Sequence, residues 1–240
     1  MTSLQKRLAS AAVLAPLAGI ILWHGGWPFA AMVVLVAALA LIEWTALARR
    51  SRRPWAFGAT GLAYVGLAVY GAHFLHGIGD HIKIPGLYMM DGDFAFWFFV
   101  CLILSDVFAY VFGKLFKGPK VFPRISPNKT WSGVVGACVG PALPLAFFGW
   151  LYGDMRMCLW GGCGSLEDSL FIALYTVVGI FAGCAVGLLG QAGDLLISAL
   201  KRAAGVKDSG DLIPGHGGVL DRVDSLLLPC ALFGLWALLA

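Results

Sequence analysis

The chain has 240 residues, of which 60% are hydrophobic and only 12% charged, with a formal net charge of +4. Soluble globular domains carry roughly 25% charged residues, so this composition and a mean hydropathy of +0.84 exclude an ordinary water-soluble fold. Apolar stretches recur at the length of about 20 residues that a helix needs to cross a bilayer. They are too continuous for barrel strands, so the expected fold is an all-α, polytopic integral membrane protein.

About seven transmembrane helices are predicted, over Leu8–Trp23, Trp27–Leu47, Ala56–Leu75, Phe94–Phe112, Trp131–Leu151, Ser169–Leu189 and Ser225–Ala240. The first has the short basic start of a signal peptide. No small-x-small cleavage pattern precedes the next span, so it reads as a retained anchor. Seven crossings from a cytoplasmic N-terminus put Lys6, Arg7, Arg49, Arg50, Arg52, Arg53, Lys114, Lys117, Lys120, Arg124, Lys129, Lys201, Arg202, Lys207 and Arg222 inside, 15 of the 17 basic residues. Lys83 and Arg156 fall outside, among several aspartates. Basic residues favour the cytoplasmic side. The expectation is therefore a multi-pass protein of the cell inner (cytoplasmic) membrane, with segments 113–130 and 191–224 facing the cytoplasm.

In chain order, the turn "ARRSRRPW" first reads as a topology signal seated on anionic headgroups. The span "LILSDVFAYVFGKLFKG" then places Ser105 and Asp106 inside an apolar helix, with Tyr110 one turn on. An ionisable group at that depth is costly and is usually functional or paired. Next comes "KGPKVFPRISPNKTWSG", where five basic residues counted from Lys114 to Lys129 surround Pro119, Pro123 and Pro127. The prolines stop the helix, and "SPNKTW" reads as a turn into the fifth span. Ser126, Asn128 and Lys129 in this frame form a candidate anion site. Cys101, Cys138, Cys184 and Cys230 fall in spans as small core residues. Cys158 and Cys163, in "CLWGGC", fall in an outer loop, either paired or as free thiols.

The sixth span runs into "GLLGQAGDLLISALKR". Asp194, Ser198 and Lys201 are spaced i, i+4 and i+7, which puts carboxylate, hydroxyl and ammonium on one helix face. Beyond lies "KRAAGVKDSGDLIPGHGGVLDRVD", with eight charged residues in 24. Asp194, Asp208, Asp211, Asp221 and Asp224 all fall within 31 residues. These hard oxygen donors, with one histidine and no nearby cysteine, suit Mg²⁺ or Mn²⁺ rather than zinc. Lys201, Arg202, Lys207, Arg222 and His216 supply cations. Carboxylate-held metal beside lysine and arginine is the equipment of phosphoryl or nucleotidyl transfer. Gly215, Gly217 and Gly218 let backbone amides approach phosphate oxygens, although the spacing is not that of a P-loop.

The stretch Ser198 to Asp224 resembles the signature of the phosphatidate cytidylyltransferase (CDP-diacylglycerol synthase) family, S-x-x-K-R-x4-K-D-x-G-x2-[L/I/F]-P-x-H-G-G-x-x-D-R-x-D, and meets every defined position. "GDLLIS", "RISPNKTWSG" and "DVFAYVFGKLFKG" resemble the family too. One departure is Ser132, where the family usually has glutamate. The resemblance implies that CTP and phosphatidate react to give CDP-diacylglycerol and pyrophosphate. It also implies that Asp194 and Asp221 hold the main metal, with Asp224 helping and Asp208 a weaker candidate for a second cation, and it suggests a homodimer. Lys201, Arg202, Lys207 and Arg222 are then expected to contact phosphates. Ser198 lies on the same face, and His216, Gly217 and Gly218 shape the turn around the nucleotide. Ser126, Asn128 and Lys129 bind an anionic group of either substrate.

The expected organisation is 1–93 as N-terminal helices and 94–240 as a catalytic transmembrane domain, with membrane lipids as neighbours and no nucleic-acid partner. Two other classes use similar parts. A CTP-dependent lipid kinase needs a base for a hydroxyl acceptor. A transporter needs polar residues threaded through several spans, whereas here they gather at one face.

Overall fold

The computed structural model describes residues 16–51, 53–81, 93–159, 166–210, 212 and 217–239. Seven helices occur among them: α1 over residues 16–24, α2 (Gly26–Arg49), α3 (Pro54–His81), α4 (Asp93–Phe116), α5 (Trp131–Leu159), α6 (Leu166–Ala203) and α7 (Leu220–Leu239). The six from α2 to α7 are long and apolar enough to cross a membrane. The chain is an all-α polytopic membrane protein.

The helices run past the expected spans, because polar residues end a hydrophobic stretch without ending a helix. α6 continues from Leu189 through "GQAGDLLISALKRA", which contains good helix formers and no proline. It closes at Gly205, where the backbone turns left-handed with φ +73. The Gly205 amide donates to the Arg202 carbonyl and the Val206 amide to that of Lys201, each at 3.0 Å, which is a Schellman closure. α5 likewise extends to Leu159 and takes in Cys158, which the sequence placed in a loop; Cys163 lies outside the described residues. Cys101, Cys138, Cys184 and Cys230 are free thiols.

"SPNKT" is also not a turn. Ser126–Thr130 forms strand β2, antiparallel to β1 (Lys120–Phe122), with Lys120 opposite Thr130 and Phe122 opposite Ser126. Two strands have only edges, so Pro127 interrupts no central ladder. The Trp131 amide donates to the Pro119 carbonyl at 3.1 Å and closes the base of the hairpin.

Two compact units divide the described residues. One is drawn from within Met1–Asp80, Met90–Phe96 and Ala192–Ala240, the other from within His81–Met89 and Trp97–Gln191. In the first, α3 and α7 touch backbone to backbone: a Cβ at Gly71 would overlap the Cys230 carbonyl oxygen and lie 2.7 Å from the Gly234 amide nitrogen. In the second, Gly136 and Gly140 of α5 lie against the Phe108 and Leu104 carbonyls of α4. Such small-residue contacts are how helices associate where lipid removes the hydrophobic drive between them.

Candidate active site

The charged face of α6 forms as its spacing requires, with Ser198 Oγ donating to Asp194 Oδ1 at 3.2 Å. Two turns on, Lys201 leaves α6 toward the first turn of α7. Its Nζ meets Asp221 Oδ1 at 2.5 Å, with both side chains only 10% exposed. The other oxygen of Asp221 accepts from the backbone amides of Ser209, at 2.9 Å, and Gly218, at 3.2 Å. Asp221 therefore ties α6, the segment after it and the start of α7 into one knot.

A second carboxylate enters from α2. Glu43 is 4% exposed. Its Oε1 accepts from the Val219 amide at 2.8 Å, and its Oε2 accepts from the Leu220 amide at 2.9 Å and from Ser209 Oγ at 2.7 Å. Sequence reasoning passed over this residue, although the signal was present: "LIEWTAL" sets an acidic side chain in an apolar span, the argument applied to Asp106.

These contacts leave little room. Gly217 is left-handed, with φ +83, and a Cβ on Gly218 would run into Ser209 Oγ and Glu43 Oε2. The Gly218 amide, expected to face a phosphate, donates to Asp221 instead. Arg202, Lys207, Asp208 and Arg222 are exposed, and Asp224 is partly buried one turn beyond Asp221. α6 and α7 cross in close contact here, since a Cβ on Gly193 would lie 2.6 Å from the Asp224 carbonyl oxygen. Asp211, Gly215 and His216 lie outside the described residues.

In the other unit, Lys129 Nζ donates to Gln191 Oε1 at 2.9 Å and to the Gln191 carbonyl at 3.2 Å. Gln191 Nε2 donates to Asp106 Oδ1 at 3.3 Å. The intramembrane aspartate thus belongs to a relay that ends on the hairpin lysine. Gln191, 7% exposed, is a second residue that the sequence did not single out. Ser126 is half-buried and Asn128 exposed on β2. The departing residue Ser132 donates its hydroxyl to the Lys117 carbonyl, fastening α5 to the end of α4. Thr130 caps α5 by accepting from the Gly133 amide at 3.2 Å.

Among the described residues no group of three or more histidine, cysteine or carboxylate side chains stands in metal-holding geometry. A carboxylate offers about four lone-pair positions, and Asp221 uses three on Lys201, Ser209 and Gly218. Magnesium usually takes one or two carboxylates and completes its shell with water and substrate phosphates. Asp194 and Asp224 stand on the two helices that approach at Gly193, and among the described residues they form no protein cage for an ion with Asp221.

Comparison with known proteins adds the decisive observation. The model of the cytidylyltransferase family matches residues 5–90 and 88–239. The chain belongs to the cytidylyltransferase family. Among its relatives, the phosphatidate cytidylyltransferase of Brucella abortus biovar 1 (strain 9-941) is 31% identical, over 98% of this chain and 94% of that protein. The protein of that name from Staphylococcus saprophyticus is 32% identical over 81% of this chain and 64% of its own length. The one from Rickettsia felis is 40% identical over 54% of this chain and 52% of its own. As a cytidylyltransferase the chain is a nucleotidyltransferase enzyme, and the Lys201–Asp221 knot falls within the family match.

Proposed function

We infer that this membrane enzyme transfers CMP from CTP to phosphatidate, giving CDP-diacylglycerol and pyrophosphate. The observation that carries the reading is the knot of Lys201, Asp221 and Ser209 at the end of α6, in a chain whose relatives bear the name phosphatidate cytidylyltransferase. A phosphate oxygen of phosphatidate attacks the α-phosphorus of CTP. The bond from that phosphorus to the bridging oxygen breaks, and pyrophosphate leaves with the electron pair. The nucleophile is already an anion at neutral pH, so no strong base is needed. The obstacle is repulsion between two polyanions, and fixed cations lower it while aligning the reacting groups.

Arg202, Lys207 and Arg222, exposed around the knot, contact the phosphates of CTP and the lipid. Lys201 holds Asp221 in place and lends its charge to the same field. Ser198, His216 and Gly217 shape the nucleotide side. Ser126, Asn128 and Lys129 of the hairpin bind an anionic group of one substrate. Asp194 and Asp221, aided by Asp224, are the residues that would hold Mg²⁺ or Mn²⁺, with Asp208 the candidate for a second cation. When bound, such an ion neutralises phosphate charge. The charge asymmetry of the loops supports an inner-membrane location with this face in the cytoplasm, where one substrate stays in the bilayer and the other in water. The family resemblance supports a homodimer.

The test uses purified protein in detergent with labelled CTP, Mg²⁺ and dioleoyl phosphatidate. CDP-lipid and pyrophosphate are the expected products, with turnover lost in Asp221→Asn. CDP formed with a lipid alcohol would replace this reading with a kinase. No turnover of CTP with any lipid would overturn it.

A further inference from the structure

Among the described residues the carboxylate of Glu43 has no cation in hydrogen-bond or ion-pair contact. Its hydrogen bonds to described residues all go to the segment that carries the family signature. Ser209 comes shortly after α6 and Val219 and Leu220 open α7, and all three donate to Glu43 at 2.7 to 2.9 Å. The packing is equally close. A Cβ on Gly210 would lie 3.0 Å from Glu43 Oε1, and one on Gly218 would overlap Glu43 Oε2. Ser209, Gly210 and Gly218 and the start of α7 therefore meet around one buried carboxylate.

The same carboxylate also fills the N-terminus of α7. The first amides of a helix are a ready site for an anion. Here Val219 and Leu220 give theirs to Glu43 and Gly218 gives its own to Asp221. A substrate phosphate cannot use these three amides while the two carboxylates hold them. The favourable end of the helix dipole offsets the burial of Glu43, which has no cationic partner among the described residues. A buried carboxylate kept by donors alone is costly to disturb, because each lost partner leaves a desolvated group behind.

We propose that Glu43 is a positioning residue for the reaction: from α2 it holds Ser209 to the start of α7 and, through Ser209, fixes the pose of Asp221. The coupling is direct. Ser209 donates its hydroxyl to Glu43 and its amide to Asp221, so one residue joins the two carboxylates. The N-terminal helices thus take part in shaping the site. This role rests on the nucleotidyl-transfer reading above.

The experiment compares the full chain with Glu43→Gln, Glu43→Asp and Ser209→Ala in the same detergent. It reads thermal unfolding, amide hydrogen exchange over residues 205–222, and initial rates against CTP and dioleoyl phosphatidate. Glu43→Gln keeps one acceptor but points an N–H₂ group at donors. It should speed exchange in that segment and lower kcat/KM for CTP by about tenfold or more, the usual size of a supporting-shell loss. Ser209→Ala, which removes one bond and no charge, should give a smaller change of the same kind. Glu43→Asp, one methylene short, should fall between wild type and Glu43→Gln.

A role in stability alone would lower the active fraction and leave KM for CTP unchanged; that result would overturn the proposal, as would faster exchange with unaltered kcat/KM. If Glu43→Gln fails to fold, Ser209→Ala decides: unchanged exchange and kinetics there would also sink it. If the wild-type protein makes no CDP-lipid, the functional reading fails by itself, and the exchange arm still decides whether Glu43 holds Ser209 to the start of α7.

Discussion

Lys201 Nζ and Asp221 Oδ1 meet at 2.5 Å across 20 residues of chain, with each side chain 10% exposed. A pair this enclosed gains from a low local dielectric but is costly to break from one side, because the remaining charge is stranded. Lys201→Met should therefore destabilise the protein by roughly 3–5 kcal/mol, the usual range for an orphaned buried ion. Adding Asp221→Asn should recover part of that loss, while turnover stays abolished in both. Unfolding midpoints of the two single variants and the double variant in detergent make the comparison. A double variant no more stable than Lys201→Met would show that the pair does not hold the knot.

The glycines around the knot should differ sharply. A methyl group on Gly218 collides with Ser209 Oγ and Glu43 Oε2, whereas one on Gly205 meets nothing within 4 Å and suffers only the strain of φ +73. Gly205→Ala should thus cost about 1–2 kcal/mol, the penalty of a left-handed alanine, and leave kcat/KM near wild type. Gly218→Ala should cost more stability and remove most of the activity, because it pushes Glu43 and Ser209 apart. Similar activities for the two variants would count against a tightly fitted site.

What the sequence made legible follows from how local each contact is. The Asp194–Ser198 bond is an i, i+4 neighbour on one helix, so spacing alone predicts it. The Lys201–Asp221 pair spans a loop, and periodicity says nothing about where a loop returns. Ser209 and Glu43 stand 166 residues apart; the intramembrane position of Glu43 was visible but its partner was not. The hairpin was hidden because Pro119, Pro123 and Pro127 read as breakers, which holds for a helix or a central strand and not for a two-stranded ribbon. Asp106 was marked by its depth, but its link to Lys129 through Gln191 depends on a helix 85 residues further on.

The α3–α7 contact predicts a further stability effect. A side chain at Gly71 must displace the Cys230 carbonyl and the Gly234 amide, both backbone atoms that cannot swing away, while Gly66 on the same helix has open space. Gly71→Val should lower the unfolding midpoint by several degrees, as overpacking penalties of about 1–3 kcal/mol require. Gly66→Val should be close to neutral. Parallel midpoints in one detergent test this, and equal shifts would mean that α3 and α7 do not touch in the folded protein.

The last expectation separates the carboxylates as metal donors. Asp194 lies on the α6 face beside Ser198 and next to the close crossing at Gly193, whereas Asp208 is exposed beyond the end of that helix. A donor at the crossing is held by packing from two helices; an exposed one is free to move and binds more weakly. Titrating Mg²⁺ into chelator-treated enzyme at fixed CTP should show half-maximal activity displaced upward in Asp194→Asn by about tenfold or more. Asp208→Asn should give a smaller displacement. Binding of Mn²⁺ to the protein alone, followed by its paramagnetic signal, gives a readout that does not depend on turnover. If Asp194→Asn kept the wild-type Mn²⁺ affinity and Asp208→Asn lost it, the metal would belong to the loop and not to the crossing of α6 and α7.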